Sequence, residues 1–430
     1  MRRESLAICV AALSVFGCAE VGAPDQQGQV EGAATTAPIK YVVVLIKENH
    51  TFDNYFTGFP GATSSLTAKL HDGRVITRPI APTGPLPRDL CHGHSCASKA
   101  WNKGRMNGFD LVNGTVTDPE SGLDDYLAYA RFTETQIPNY WQYARHFTLA
   151  DHFFATTAGP SFPGHFASVV GFSPWASNPK CGEPSKCDPS LGPCTSCVQR
   201  PGVCTATRYD AKTCAIKEEA SDCTDTPTVV EALPAGVTWA EYGRHSLDHV
   251  KKLATAADRA VHMRTEEQLM LDLASPDQPN VIFAHLGEDS EHPNQDVCPG
   301  ENYSVRLLNT IMKGPHWAET AVFLTWDDYG GWYDSVRPTT GAACPNGDHF
   351  NTGFRVPLIV VSPYARPGFV LKTRTEQASI PRFIEDLYGL PRLALKDSRN
   401  RDAVAGSLMG AFDFTQAPNP PLILSTRPCP

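Results

Sequence analysis

Residues 39–46 read IKYVVVLI, a nearly continuous apolar run in which β-branched residues predominate. Such a run is typical of a strand buried on both faces of a parallel sheet. Three later segments repeat the pattern: 281–284 (VIFA), 321–325 (AVFLT) and 356–361 (VPLIVV). Between them lie helix-like stretches such as residues 304–312, where apolar positions recur at helical spacing. Buried strands that alternate with helices predict a doubly wound α/β sandwich.

Polar segments follow three of these strands directly. Glu48 and Asn49 come after the first strand, residues 287–293 (GEDSEHP) after the second, and Asp327 and Asp328 after the third. In doubly wound folds, ligands bind beyond the carboxyl ends of the strands, where the loops converge. We therefore expect the functional site at this edge of the sheet.

Glu48, Asn49, Asp327 and Asp328 would bring three carboxylates and one amide oxygen together if their strands are neighbours. Hard oxygen ligands of this kind suit Ca²⁺, Mg²⁺ or Mn²⁺. Without a cation, the carboxylates would repel one another and raise one another's pKa values. A purely structural interpretation stays open, in which the two aspartates begin a Gly-Gly turn and Glu48 caps a helix.

The segment 156–166 (TTAGPSFPGHF) places a hydroxyl in an unusual setting. Gly159-Pro160 favours a tight turn, and Ser161 follows the turn as a helix N-cap. There its hydroxyl would lie beside free backbone N–H groups, which makes it a candidate nucleophile. It is otherwise an ordinary helix cap, and Thr51 is a rival hydroxyl because it lies close to Glu48 in the sequence.

Two of the fourteen histidines, His92 and His292, are candidates for protonating a leaving group and for stabilising developing negative charge. His94, His285 and His349 have equally polar neighbours. Position along the chain alone therefore selects none of them.

Composition narrows the class of protein. At 430 residues and 41% hydrophobic content, the chain can bury a large core, and one catalytic domain is the simplest expectation. The formal net charge of -9 argues against a nucleic-acid binder, which usually presents a basic face. No nucleic-acid partner is expected.

The N-terminal segment predicts export. Arg2 and Arg3 precede an apolar run, residues 6–16, that is too short to span a bilayer, so we interpret residues 1–18 as a signal peptide and expect no transmembrane helix in the mature chain. Gly17-Cys18 resembles a lipoprotein cleavage site, and the paired arginines loosely resemble a twin-arginine signal. A secreted, periplasmic or lipid-anchored protein is expected.

Beyond the signal peptide, residues 19–38 are rich in Gly, Ala, Gln and Thr and are interpreted as a flexible tether. The catalytic domain is expected over residues 39–413, with a Pro-rich tail at 414–430.

Twelve cysteines follow Cys18, a density that indicates disulfides in an oxidising compartment. Seven of the twelve lie in a polar stretch at about residues 177–227, which we interpret as a disulfide-rich surface insert. If all twelve are oxidised, at least one of the seven pairs outside the insert. Cys194 and Cys197 leave structural zinc open as an alternative.

The motifs together resemble the bacterial phospholipase C and acid phosphatase family of phosphoesterases, relatives of alkaline phosphatases and sulfatases. They occur in family order across most of residues 40–390. The matching segments are 48–56 (ENHTFDNYF), 89–92 (DLCH), 100–104 (AWNKG), 106–109 (MNGF), 159–163 (GPSFP), 290–293 (SEHP), 326–334 (WDDYGGWYD), 355–357 (RVP) and 362–364 (SPY).

The resemblance implies an alkaline phosphatase type of fold and a role for each candidate residue. It implies a divalent metal bound by Glu48, Asn49, Asp327 and Asp328, without an organic cofactor. Ser161 would be the nucleophile that forms a phosphoseryl intermediate, which favours Ser161 over Thr51. His92 and His292 would lie around the phosphoryl group.

The implied substrate is a phosphate ester, with a phospholipid at a membrane surface slightly ahead of a broad range of phosphomonoesters. Phospholipase C activity is therefore expected before acid phosphatase activity. A lipid-tethered binding protein that kept the fold and lost catalysis is a third interpretation.

Three positions depart from the family pattern. The family often has Pro-Asn after the nucleophile, Asp-Glu in the metal pair, and His where this chain has Ser335. Here the first is Pro163-Gly164 and the second is Asp327-Asp328. A shorter second carboxylate can shift the metal or change which metal is preferred.

Overall fold

A computed structural model describes the chain over residues 37–112, 114–118, 120–181, 204–209, 216–219, 223–244, 246–287, 289–343, 349–393 and 401–430. The expected signal peptide, nearly all of the expected tether and the Cys194-Cys197 pair lie outside the described residues.

Seventeen strands are described, most of them short. In chain order they are β1 (Tyr41–Lys47), β2 (Thr67–Lys69), β3 (Val75–Thr77), β4 (Thr148–Ala150), β5 (Phe153–Phe154), β6 (Lys180–Cys181), β7 (Cys204–Tyr209), β8 (Ile216–Glu219), β9 (Trp239–Gly243), β10 (Met263–Arg264), β11 (Val281–His285), β12 (Thr320–Trp326), β13 (Thr340–Ala343), β14 (His349–Asn351), β15 (Leu358–Val361), β16 (Phe369–Leu371) and β17 (Thr375–Glu376).

Eight α-helices are described alongside short 3₁₀ turns. They are α1 (Phe52–Phe56), α2 (His94–Trp101), α3 (Pro138–His146), α4 (Ser161–Val170), α5 (Ala256–His262), α6 (Glu266–Leu273), α7 (Val297–Lys313) and α8 (Ser379–Tyr388). Within the described part of the chain, no helix combines the length and apolar composition needed to cross a bilayer.

The central sheet has eight strands in the order β10-β9-β11-β1-β12-β15-β4-β16. The five strands from β10 to β12 run parallel to one another. β15 is antiparallel to both of its neighbours, β12 and β4. The expectation that residues 356–361 belong to the parallel set was therefore wrong, because an apolar run indicates burial on both faces but does not encode strand direction.

Both faces of the sheet are covered. Every residue of β11 and β12 is buried, and so is every residue of β1 except Tyr41, which is partly exposed. Helix α7 packs against α3 and α6, and α4 packs against α8. The predicted α/β fold with a central sheet of buried strands is confirmed.

Helix α7 is longer than the expected 304–312 segment. It begins after Asp296, whose side chain accepts a hydrogen bond from the Cys298 N–H. Cys298 is disulfide-bonded to Cys429, and Asn302 and Asn309 donate side-chain hydrogen bonds to backbone oxygens of the tail. The Pro-rich tail is thus fastened along α7.

The cysteine-rich stretch contains a small antiparallel sheet of β6, β7 and β8. Arg208 of β7 lies over the ring of Trp175, 4.0 Å from its centroid, which links the small sheet to the buried core. Cys223 at the end of this stretch is disulfide-bonded, as expected, and a separate disulfide joins Cys91 to Cys96.

Candidate active site

The register of β1 and β12 places four of the expected site residues side by side. Lys47, the last residue of β1, pairs with Trp326, the last residue of β12. The next residues, Glu48 with Asn49 and Asp327 with Asp328, therefore leave the same edge of the sheet. All four side chains are buried.

The Asn49 amide lies at the centre of this cluster. Its nitrogen Nδ2 is 2.7 and 2.9 Å from the two oxygens of Asp327, 3.0 Å from Asp328 Oδ2 and 3.1 Å from Ser161 Oγ. An amide nitrogen carries two hydrogens, which cannot serve four acceptors. Meanwhile Asn49 Oδ1 is buried without a hydrogen-bond partner.

The carboxylates of the cluster carry more negative charge than their surroundings balance. Burial, and then the charges of Asp328 and Glu48, holds the pKa of Asp327 well above its usual value. Burial also raises the pKa of Asp328 to about 7. Burial alone would raise the pKa of Glu48 too, but His165 and Arg244 outweigh it and leave that pKa below its usual value.

A divalent cation fits this donor set. It would offset the carboxylate charges, and rotating the Asn49 amide by 180° would exchange Nδ2 for the unpartnered Oδ1 as a ligand. Ligand atoms of Glu48, His165 and Asp327 lie within 4.8 Å of one another, close enough to share one ion. These three residues form a candidate metal-binding group.

Ser161 is the first residue of α4 and is buried beside the cluster. The expectation that it is the helix N-cap was wrong, because Pro160 occupies that position and no side chain caps the helix. Ser161 is nevertheless at the positive end of the helix dipole. The helix ends at Gly171, which adopts the left-handed conformation typical of that position.

Gly164, which stands where the family often has asparagine, has a structural role. A Cβ atom at this position would lie 2.3 Å from the backbone oxygen of Asp327, closer than atoms can approach. Glycine therefore lets the first turn of α4 rest directly on the end of β12. This contact fixes the distance between Ser161 and the two aspartates.

Thr51, the rival hydroxyl, is occupied by structural hydrogen bonds. Its Oγ1 accepts from the Asn54 N–H as the N-cap of α1 and donates to the Tyr333 oxygen.

His92 and His292 lie near each other, with ring centroids 5.4 Å apart. Burial alone would lower the pKa of His92, but Asp328, the Leu90 carbonyl and Asp89 together raise it above its usual value. His292 Nδ1 is 3.9 Å from the carboxylate of Asp89, which is half-exposed. The two rings thus form a partly exposed pair beside the buried cluster.

The position of His292 depends on the preceding residue. Glu291 is buried and pairs with Lys47 at 3.0 Å, and it also accepts hydrogen bonds from Tyr55 and Tyr140. Its backbone φ of 73° is in the left-handed region that favours glycine, so these side-chain contacts hold the loop in a strained conformation.

Arg355 and three aspartates form a structural clamp near the cluster rather than a catalytic group. The buried guanidinium of Arg355 contacts Asp53 at 2.9 Å, Asp334 at 2.8 Å and Asp151 at 3.1 Å. Asp53 belongs to α1, and Asp334 follows the Gly-Gly turn after Asp328. The clamp therefore holds together the two segments that supply the carboxylate cluster.

Sequence reasoning missed two residues that contact the cluster. His165 is one helical turn after Ser161, and its Nε2 is 3.4 Å from Asp327 Oδ2 and 3.6 Å from Glu48 Oε1. The i, i+4 spacing from Ser161 was the available signal, since such residues share a helix face. Arg244 follows the carboxyl end of β9 and forms an ion pair with Glu48.

Comparison with known proteins places these observations in a family. The model of the Phosphoesterase family matches residues 39–391. Over 89% of this chain, the sequence is 24% identical to the non-hemolytic phospholipase C of Burkholderia pseudomallei. Over the same share of this chain, it is 22% identical to phospholipase C B of Mycobacterium tuberculosis. It spans 60% of the length of the first relative and 79% of the second.

Two further similarities are more limited in extent. The non-specific phospholipase C1 of Arabidopsis thaliana is 31% identical to this chain, over 33% of this chain and 30% of the length of the Arabidopsis protein. Among solved structures, one similar protein belongs to the alkaline phosphatase superfamily and comes from Vibrio parahaemolyticus. The two sequences are 14% identical, the match covers 62% of this chain and 64% of that chain, and the TM-score is 0.33. The family assignment rests on the family model.

Proposed function

The chain belongs to the phosphoesterase family, and from that premise we propose that it is a phosphoric ester hydrolase of the phospholipase C kind. The observation that carries the proposal is the position of the Ser161 hydroxyl. Its oxygen is 3.1 Å from the Asn49 amide, within a buried cluster of three carboxylates. A hydroxyl beside a site suited to a cation is the arrangement that a metal-assisted nucleophile requires.

Glu48, Asn49, Asp327 and Asp328 are the proposed ligands of a divalent metal ion. The mutual repulsion of the carboxylates and the unpartnered Asn49 Oδ1 support this assignment. When bound, such an ion would neutralise charge on the phosphoryl oxygens and favour ionisation of a neighbouring hydroxyl.

Ser161 is the proposed nucleophile. Its Oγ would form a bond to phosphorus in line with the departing oxygen, so that the ester bond breaks as the phosphoseryl bond forms. The positive end of the α4 dipole would favour the negative charge that develops there. Water would then hydrolyse the phosphoseryl bond and restore the hydroxyl.

His92 and His292 are proposed to act on the other side of the phosphoryl group. Asp328 and the Leu90 carbonyl favour the protonated form of His92, so this ring can give a proton to the departing oxygen or bind a phosphoryl oxygen. His292, which follows the buried Glu291 that pairs with Lys47, would bind a second phosphoryl oxygen.

The proposed substrate is a phospholipid headgroup ester, with phosphomonoesters as the alternative substrate class. The names of the bacterial relatives favour the phospholipase. The test compares turnover of p-nitrophenylphosphorylcholine, p-nitrophenyl phosphate and phosphatidylcholine vesicles by one preparation. Release of phosphorylcholine from vesicles is the expected result.

Each other outcome selects a different function. Turnover of the monoester alone would identify an acid phosphatase. Turnover of none of the three, by folded protein supplied with divalent cations, would favour the non-catalytic binding protein.

We also propose that the protein works outside the cytoplasm, as secreted, periplasmic or lipid-anchored protein. The Cys91–Cys96 and Cys298–Cys429 disulfides support an oxidising compartment. Cell fractionation tests this proposal, and a cytoplasmic location of the mature chain would contradict it.

A further inference from the structure

Three buried side chains form a line behind the carboxylate cluster. His165 Nδ1 is 2.7 Å from His285 Nδ1, and His285 Nε2 is 2.9 Å from Glu241 Oε1. All three side chains are buried. The line ends at His165 Nε2, which faces Glu48 and Asp327.

The hydrogen bonds determine where the protons lie in this line. Both oxygens of Glu241 accept backbone N–H groups, from Ser246 at 2.8 Å and from Leu247 at 3.0 Å, so Glu241 is an acceptor and His285 Nε2 carries a proton. A neutral His285 then has its lone pair on Nδ1. His165 Nδ1 must donate to that lone pair, which leaves His165 Nε2 without a proton.

The atom left without a proton is also without a hydrogen-bond partner. His165 Nε2 is buried and makes no hydrogen bond, and the residue as a whole is 5% exposed. The alternative, an imidazolium, would need an acceptor for a proton on Nε2, and neither facing carboxylate accepts a hydrogen bond from this atom. A buried lone pair aimed at two carboxylates calls for a cation between them.

The distances suit such a cation. His165 Nε2 is 3.4 Å from Asp327 Oδ2 and 3.6 Å from Glu48 Oε1. Two ligands that are each about 2.1 Å from one metal ion are about 3.0–3.6 Å apart when the angle between them at the ion is 90–120°.

We infer that His165 Nε2 is a ligand of the metal ion, and that Glu241 and His285 are positioning residues that fix its tautomer. A carboxylate that orients a ligating imidazole in this way is a recurrent support of metal sites. The inference rests on the metal site of the proposed function. It favours a transition ion such as Zn²⁺ over the hard ions Ca²⁺ and Mg²⁺ as the bound metal, because imidazole is a better ligand for transition ions.

The decisive variant is His165→Asn, because an asparagine amide can replace the Nδ1 donor but has no atom at the Nε2 position. Zn²⁺ and Mg²⁺ affinities are measured by competition with a chromophoric chelator. We expect the Zn²⁺ affinity to fall by at least about 10- to 100-fold, the loss typical of removing a residue that merely supports a ligand, with a much smaller change for Mg²⁺. His262→Asn, on α5 with its Nδ1 at the Trp239 carbonyl, is the matched control and should change neither affinity.

A spectroscopic readout accompanies the affinities. Protein labelled with ¹⁵N-histidine and loaded with Mn²⁺ should show an imidazole coupling by pulsed electron paramagnetic resonance, and His165→Asn should lose it. Persistence of the coupling in that variant, or an equal fall in both affinities, would overturn the inference.

The positioning role has its own variant, Glu241→Gln. A glutamine amide can donate to His285 Nε2, which would reverse the line of hydrogen bonds and place a proton on His165 Nε2. The expected result is a loss of Zn²⁺ over Mg²⁺ selectivity in a protein with unchanged circular dichroism. Selectivity equal to that of the wild type would contradict the positioning role.

Asp327→Asn separates this inference from the proposed function. If Asp327→Asn binds metal as well as the wild type does, the metal site itself is wrong. If it loses metal while His165→Asn keeps both the affinity and the imidazole coupling, only the role of His165 fails.

Discussion

Ser161 and Thr51 show how the same functional group takes different roles in different surroundings. Thr51 Oγ1 is bound to two backbone groups at the start of α1, so removing it should affect mainly local structure. The Ser161 hydroxyl instead interacts with the Asn49 side chain inside the carboxylate cluster.

Ser161→Ala should therefore reduce turnover by at least about a thousandfold, the scale typical of removing a covalent nucleophile. The fold should persist, because Ser161 does not cap α4. Rapid quenching with a radiolabelled phosphate ester measures the phosphoseryl intermediate. Ser168→Ala, on the same helix with its hydroxyl bonded to the Gly164 oxygen, is the control and should keep activity. Label that persists in Ser161→Ala and vanishes in Thr51→Ala would assign the nucleophile to Thr51.

Metal removal should abolish activity, because Glu48 and Asp327 come from different strands and their charges repel without a cation. Activity should return when a divalent cation is added back. Asp327→Asn should weaken metal binding more than it lowers the melting temperature, since the buried strands supply the core. Full activity of a protein shown by elemental analysis to be metal-free would disprove the metal site.

At the scale of elements, the contact of α4 with the end of β12 sets the geometry of the site. Gly164→Ala would place a methyl group 2.3 Å from the Asp327 oxygen, so the helix must move. We expect a destabilisation of about 1–3 kcal/mol and a larger relative loss of turnover, because Ser161 moves with the helix. Gly410→Ala, where the added Cβ would first meet a side-chain atom of Leu371 at 3.4 Å, is the control. Denaturant melts and steady-state rates measure both effects, and unchanged turnover in Gly164→Ala would contradict the proposed contact.

Glu385 of helix α8 forms a pH-dependent pair with Asp402, which lies beyond the helix. Burial, followed by the hydrogen bond and charge of Asp402, raises the pKa of Glu385 from 4.5 to about 8. Between these values the folded protein binds a proton that the unfolded chain does not. The free energy of unfolding therefore falls as pH rises through this range.

Glu385→Gln should make the free energy of unfolding fall less steeply between about pH 5 and pH 8. Chemical denaturation at several pH values measures the slope. Glu267→Gln, at an exposed position of α6, should leave the slope unchanged. Parallel curves for Glu385→Gln and the wild type would mean that Glu385 does not titrate in this range.

The sequence predicted elements wherever one physical rule governs them. The runs that became β1, β11 and β12 are almost entirely apolar because both faces of the sheet are buried, and that pattern can be recognised without a structure. β9 was missed because Trp239–Gly243 contains Glu241, a charged residue whose hydrogen-bond partners in the buried site include His285 and two backbone N–H groups. Partners that distant in the sequence leave no local pattern.

In the site too, residues that follow a local sequence pattern could be predicted, and residues that depend on distant partners could not. Glu48, Asn49, Asp327 and Asp328 follow apolar strands, so their common location could be expected from strand ends alone. His165 lies within a helix, where a histidine can equally serve as a packed core residue, so the sequence does not mark it as a ligand. The neighbours of His165 are His285 of β11 and Asp327, which follows β12, and only the packing of α4 in the folded protein identifies them.

At the scale of the whole molecule, the Cys298–Cys429 disulfide closes a long loop. Its cysteines are 131 residues apart, and in the chain-entropy model such a closure stabilises the fold by about 5 kcal/mol. The Cys91–Cys96 disulfide spans 5 residues and contributes about 2 kcal/mol in the same model. Replacing both members of the long pair by alanine should therefore cost more stability than replacing both members of the short pair. Denaturant unfolding of the unreduced variants measures this difference, and equal losses would show that the tail contributes little to the fold.

The pairing of β1 with β11 and β12 also determines when β1 can join the sheet during biosynthesis. Val42 pairs with Val281 and Tyr41 with Thr320, so a ribosome adds about 240 residues, which takes about 12–50 s, before β1 meets its first neighbour. During that time the run YVVVLI has both strand edges unpaired, which makes it the part of the nascent chain most in need of protection from aggregation. Because Asp327 is synthesised later still, a nascent chain cannot assemble the carboxylate cluster, and the proposed hydrolytic activity must wait until more than three quarters of the protein has been made.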